Sequence, residues 1–170
     1  MILKLLASAL VIAGCGSVGF SMCNNYQKEL DSLEDLIRCL EWMILELNFR
    51  MPPLGQLCMD ASQEAKGKVQ SVLNRFAKEM DEKISPNLAQ CMAVAIAETQ
   101  DIPEMLCKHL KDLGSSVGVF DIEGQVVALQ AVLERCKQDY LFLSNEKEHR
   151  LRNYKTFGIC AGVALVIILL

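Results

Sequence analysis

The chain reads as all-α, an antiparallel bundle of about six helices flanked by N- and C-terminal transmembrane helices. Three observations carry this expectation. The 170 residues are 52% hydrophobic and 22% charged, a composition that supplies one core and argues against disorder. All 21 acidic residues and every basic residue except Lys4 lie between Tyr26 and Lys155, so the apolar excess is concentrated at the two ends. Between those ends no stretch sustains the apolar/polar alternation of a strand, and glycine and proline fall at the boundaries of segments with helical spacing. The net charge of -4 and the lack of a Lys/Arg cluster interleaved with aromatics exclude a nucleic-acid footprint.

The first segment, 1–23, carries no charge from Leu5 onward and is long enough to cross a hydrocarbon layer of roughly 30 Å as a helix. The last, 154–170, contains only about 22 Å of uncharged helix from Thr156 to Leu170. It spans if Asn153, Tyr154 and Lys155 sit at headgroup level, with the lysine snorkelling. Lys28 and Arg38 follow the first span, and Lys147, Arg150, Arg152 and Lys155 precede the second, against only Lys4 and the amino terminus on the other side. The positive-inside rule therefore places the central region, 24–153, in the cytoplasm. A competing reading makes Ile12-Ala13-Gly14-Cys15 a lipoprotein signal with Cys15 as lipid acceptor and an extracytoplasmic domain. The single lysine before it and the apolar run Gly16 to Met22 after it argue against that reading.

Several motifs are decoys. Gly14-x-Gly16-x-x-Gly19 matches a dinucleotide fingerprint in letters but lies inside an apolar span, not between a strand and a helix. The same segment repeats Ala9, Ala13, Ser17 and Ser21 every four residues, and the second span carries Gly158 and Gly162. Small residues at that spacing let helix backbones approach, so both faces are candidate packing surfaces within the bilayer. The eight cysteines are widely spaced, with no Cys-x-x-Cys, and Cys39, Cys91, Cys107 and Cys136 fall beside or on apolar helix faces; the expectation is reduced, buried thiols. Cys107 and His109 are two positions apart and project in different directions on a helix, so no metal site is expected. His109 and His149 are the only histidines and neither lies in a nucleophile motif, which leaves no expected catalysis, cofactor or small-molecule substrate.

The central helices follow in order. Cys23, Tyr26, Leu30, Leu33, Ile37, Leu40, Ile44, Leu47 and Met51 alternate steps of three and four, a heptad seam continuing from the first span. Pro52-Pro53 ends it, and Pro53 opens a second helix to about Ala65. Lys68 to Met80 presents Val69, Val72, Leu73, Phe76, Ala77 and Met80 at core-facing spacing. Ser85 and Pro86 read as the N-cap and first residue of a fourth helix, whose buried face is Leu88, Cys91, Met92, Ala95 and Ile96. A fifth starts near Pro103 and buries Leu106, Leu110, Leu113 and Val117, with Gly118 placed to end it and Asp121 to cap the next. The sixth repeats the long seam through Ile122, Val126, Leu129, Leu133, Cys136, Tyr140 and Leu143 and runs on toward the second span. The two long helices should pair antiparallel. Arg150, Arg152 and Lys155 form a membrane-proximal basic collar suited to anionic lipid.

These pieces resemble the stage III sporulation protein AB family over essentially the whole length. The residues that carry the resemblance are Leu40-Glu41-Trp42 to Glu46-Leu47 followed by Met51-Pro52-Pro53-Leu54, the string Leu113-Gly114-x-x-x-Gly118-x-x-Asp121-x-x-x-Gln125, and Tyr154-Lys155-x-x-Gly158 leading to Ile167-Ile168-Leu169-Leu170. The resemblance implies a non-catalytic platform or assembly component of the secretion-like channel between mother cell and forespore. It implies a helical domain similar to those of type II secretion and type IV pilus inner-membrane platform proteins. The implied partners are the channel's cytoplasmic ATPase, stage III sporulation protein AA, and other membrane components of the channel. A platform would meet such a partner through turns on a rigid body, and the candidates are Arg50, Pro52, Pro53 and Gly55 in one turn and Gly118 and Asp121 in another. The alternatives are a lipoprotein adaptor anchored at Cys15 and a small membrane enzyme using a low-pKa thiol.

Overall fold

The computed structural model describes the backbone of residues 2–81, 87–117 and 122–169, and the side chains of 26–81, 87–117 and 123–146. Its helices are α1 (Ile2–Phe49), α2 (Leu54–Glu64), α3 (Gly67–Asp81), α4 (Leu88–Glu98), α5 (Glu104–Ser116) and α6 (Ile122–Leu169), and among the described residues there is no strand. The chain divides into two compact units, residues 29–141 and the paired terminal segments 1–28 with 142–170.

Within the 29–141 unit, α1 buries Leu33, Leu36, Leu40, Met43 and Leu47, with Ile37 and Ile44 half-buried beside them. The expected seam shares the spine Leu33, Leu40 and Leu47, but Leu36 and Met43 occupy the centre of the face in place of Ile37 and Ile44. A two-helix seam needs only a narrow a/d stripe, whereas a helix facing several neighbours needs an apolar stripe at least about 100° wide. Helix α1 has the second kind of face. Met51 is exposed, not the last seam position, because the helix ends before it. The Arg50 and Met51 amides both donate to the Glu46 carbonyl, at 2.8 and 3.3 Å, and Met51 takes a positive φ of 49° before Pro52 and Pro53 turn the chain away.

The short helices form a consecutive antiparallel series. Helix α2 packs on α3, α3 on α4 and α4 on α5. Pro53 and Pro103 each precede a helix at φ -56° and ψ 143°, and each carbonyl accepts a bond from the amide four residues on, Leu57 and Cys107, at 2.9 Å. Asn87, not Ser85, caps α4. Its Oδ1 accepts from the Ala89 amide at 3.0 Å, and an asparagine is as good an N-cap as a serine, so the two candidates compete on position alone. Ser85 and Pro86 lie outside the described residues, as do Gly118 and Asp121.

The crossing of α4 and α5 depends on Gly114. A Cβ built there would lie 2.4 Å from Met92 Cβ and 3.6 Å from the Leu88 carbonyl oxygen, so only glycine admits the first turns of α4 at this distance. Polar bridges fix the remaining neighbours. Arg75 on α3 sits 2.6 Å from the buried carboxylate of Glu79, and its Nη2 donates at 3.3 Å to Glu98 on α4. Arg135 on α6 reaches Asp112 on α5 at 3.1 Å, and Lys137 on α6 reaches Glu41 on α1 at 2.7 Å. Since Asp139 contacts His109 while Arg135 contacts Asp112, α5 and α6 run antiparallel. One apolar cluster joins all six helices, centred on Phe76, Leu73, Leu40, Leu110 and Met92.

The expected membrane spans, 1–23 and 154–170, fall on helical backbone whose side chains lie outside the described residues. Among the described residues no helix is long and apolar enough to cross a membrane.

Candidate functional site

Three regions of the 29–141 unit present chemistry beyond packing. The first is the turn between α1 and α2. Phe49 is 81% exposed and Met51 59%, and Arg50 extends beside them, its Nε 3.6 Å from Glu46 on the same helix. Four of the expected partner-contact residues, Arg50, Pro52, Pro53 and Gly55, thus gather in one turn. Two consecutive prolines stiffen it, which lowers the entropy lost when a partner docks. A Cβ built at Gly55 meets nothing within 4 Å, so this glycine is not needed for packing.

The second region is a groove between α1 and α6. Its lining is Glu41 and Ile44 from α1 and Gln130, Leu133 and Glu134 from α6. Exposed apolar side chains follow the lining residues along both helices. Leu45 and Phe49 lie four and eight residues beyond Glu41, and Val127 lies three before Gln130; Leu45 is 54% and Val127 64% exposed. At one end Glu41 binds Lys137. The pKa of the Lys137 amine is raised, first by its hydrogen bond to Glu41 and further by the charges of Glu41 and Glu134. Glu41 holds the ammonium and Glu134 adds only its field, and the lining itself carries two carboxylates and no basic residue.

The third region is the polar seam of α5 and α6. His109 is fully buried, and its Nε2 lies 3.0 Å from Asp139 Oδ2, which Lys108 Nζ also reaches at 3.1 Å. Burial pushes the His109 pKa below its ordinary value of 6.5, against the opposing pull of Asp139, so the ring is neutral at pH 7 and donates through Nε2. Its Nδ1 is buried without a partner. Three thiols of the core are held in their protonated form. Burial pushes Cys39, Cys58 and Cys136 up to about 12, and Cys39 Sγ points at the Ala61 carbonyl at 3.7 Å. All five described cysteines are free, as expected for packed thiols. Among the described residues no three His, Cys, Asp or Glu side chains converge as metal ligands.

The remaining expected site residues lie outside the described side chains. They are the packing faces Ala9, Ala13, Ser17, Ser21, Gly158 and Gly162, the collar Arg150, Arg152 and Lys155, the lipid-acceptor candidate Cys15, and the turn residues Gly118 and Asp121. Phe49, Leu45 and Val127 are functional candidates that the seam pattern passes over. Their signal in the sequence is that each is apolar and off the buried spine: Leu45 and Phe49 are four apart and share neither register with Leu40 nor with Leu47.

The family model described as stage III sporulation protein AB matches residues 4–170. Neither the curated proteins nor the solved structures contain a match.

Proposed function

The chain belongs to the stage III sporulation protein AB family, and from that membership we propose that it is a non-catalytic, membrane-anchored platform of the channel between mother cell and forespore. One observation supports this reading above the others. Helices α1 and α6 are each 48 residues of helix, and each runs from an apolar chain end into the bundle. A platform between a cytoplasmic motor and the bilayer requires its bundle to be joined to membrane segments at both chain ends, and both long helices run from the bundle into such segments. Segments 1–23 and 154–170 serve as the membrane helices, the bundle lies in the mother-cell cytoplasm, and the collar Arg150, Arg152 and Lys155 meets anionic headgroups. The partner is the channel ATPase, stage III sporulation protein AA, docked on the turn of Phe49, Arg50, Met51 and Pro52. An exposed aromatic, a guanidinium and a rigid proline pair are the residue types that anchor interfaces.

The test is titration of the full chain in nanodiscs with purified stage III sporulation protein AA. Saturable binding is expected, weakened at least about tenfold, or 1.4 kcal/mol, by the pair Phe49→Asp and Met51→Asp with thermal stability unchanged. Absence of binding, or binding indifferent to the turn, refutes the docking site.

A further inference from the structure

We propose that the groove between α1 and α6 is a docking site for a cationic amphipathic helix of another protein. Two antiparallel helices leave between them a trough into which a third helix can lay an apolar stripe at i, i+3, i+4 and i+7. Its floor is apolar, Ile44 and Leu133, and the exposed Leu45 follows one turn after the lining Glu41 on α1. From Glu41 to Phe49 is eight residues of helix, about 12 Å, or roughly two turns of a docked segment.

Charge decides the occupant. The rim carries Glu41 and Glu134, and the neighbouring Lys137 is bound to Glu41 at 2.7 Å. Glu134 makes no ion pair within 4 Å, being left with the residual field of that lysine. A helix bringing lysine or arginine on the flanks of its apolar stripe would satisfy Glu134 and compete for Glu41. A second copy of this chain is disfavoured, because a two-fold axis centred on the groove sets each copy's carboxylates against the other's. An anionic lipid surface is disfavoured by the same charges. The proposal concerns the bundle alone and stands whether or not the chain serves as a platform.

The experiment uses the full chain in nanodiscs of zwitterionic lipid, with empty nanodiscs correcting for binding to lipid. The probe is a fluorescein-labelled amphipathic peptide with leucine at i, i+3, i+4 and i+7 and lysine at the flanking positions; a matched peptide carries glutamate for lysine. The lysine peptide should bind saturably, at least about tenfold tighter than the glutamate peptide. Glu134→Lys should weaken it several-fold and steepen its loss less with salt, and Leu45→Asp should abolish saturation. Both positions are exposed, so circular dichroism should show an unchanged melting curve. No saturable binding, equal binding of the two peptides, or binding indifferent to both variants overturns the proposal. Concentration-dependent dimerisation that Leu45→Asp removes also overturns it, by assigning the groove to a second copy.

Discussion

His109 sits at a core-facing position of α5, between Leu106 and Leu110, yet carries a titratable ring with one nitrogen on Asp139 and the other unpartnered. A base whose folded pKa lies below its ordinary value of 6.5 takes up its proton first in the unfolded chain. Its contribution is therefore complete above pH 6.5 and is lost as the pH falls below that value. The groups facing the ring do not reverse this: Asp139 and Asp112 favour the proton, Lys108 opposes it, and burial outweighs them. Denaturant midpoints should fall between pH 7 and pH 5 in the native chain. His109→Gln keeps a donor for Asp139 without titrating, and its midpoint should fall less over the same range; equal slopes refute the assignment. The thiols make a second residue-scale expectation. Cys39, Cys58 and Cys136, buried and pushed up to about 12, should resist a thiol reagent at pH 8 until the bundle unfolds, and rapid modification in the folded state contradicts their packing. The burial of Cys39, Cys91 and Cys136 was legible from the apolar faces in the sequence, whereas Cys107 is only half-buried. The buried histidine was only half legible: the spacing 106, 109, 110, 113 puts position 109 inward, but a polar residue there reads first as a surface group, and its partner Asp139 lies thirty residues on in another helix.

At the scale of elements, the start of α4 is held from two sides. Asn87 caps the helix, and Gly114 of α5 leaves room for Leu88 and Met92 in the first turns. Gly114→Ala gains up to about 1 kcal/mol of helix propensity but forces a Cβ against Met92, an overpacking cost of about 1 to 3 kcal/mol, so net destabilisation is expected. Asn87→Ala should cost about 1 kcal/mol. Because both changes act on the same turn of α4, the double variant should depart from additivity by more than about 0.5 kcal/mol in urea unfolding; additivity would show that cap and crossing are independent. The six helices, their order and most of their buried faces were readable from spacing and from Pro53 and Pro103. What the sequence underdetermined was rotation. Leu36 and Ile37 are equally apolar neighbours, and which of them faces the core depends on how many helices surround α1, a tertiary fact absent from a one-dimensional pattern. The groove was hidden for the same reason, since its walls come from residues about ninety apart that share a surface only when α1 and α6 pair.

For the whole molecule the decisive question is which side of a membrane the bundle would occupy, because the proposed ATPase contact requires the mother-cell side. The positive-inside argument and the lipoprotein reading at Cys15 assign opposite sides to the same helices. Burial makes the measurement clean. Cys39, Cys58, Cys91 and Cys136 are buried in the folded bundle, so a reporter needs replacement only of half-buried Cys107 and of Cys23 and Cys160 outside the described side chains, with the lipid-acceptor candidate Cys15 left in place and the same chain without a reporter cysteine as the control. A cysteine introduced at exposed Glu64, at the end of α2, then reports the compartment. A membrane-impermeant maleimide should leave Glu64→Cys unlabelled in intact sporulating cells and modify it after permeabilisation. Labelling in intact cells would place the bundle outside and remove the ATPase contact. It would leave the groove proposal standing, since a net acidic trough seats a cationic helix on either side of a membrane; partner and topology are therefore separable, and each can fail alone.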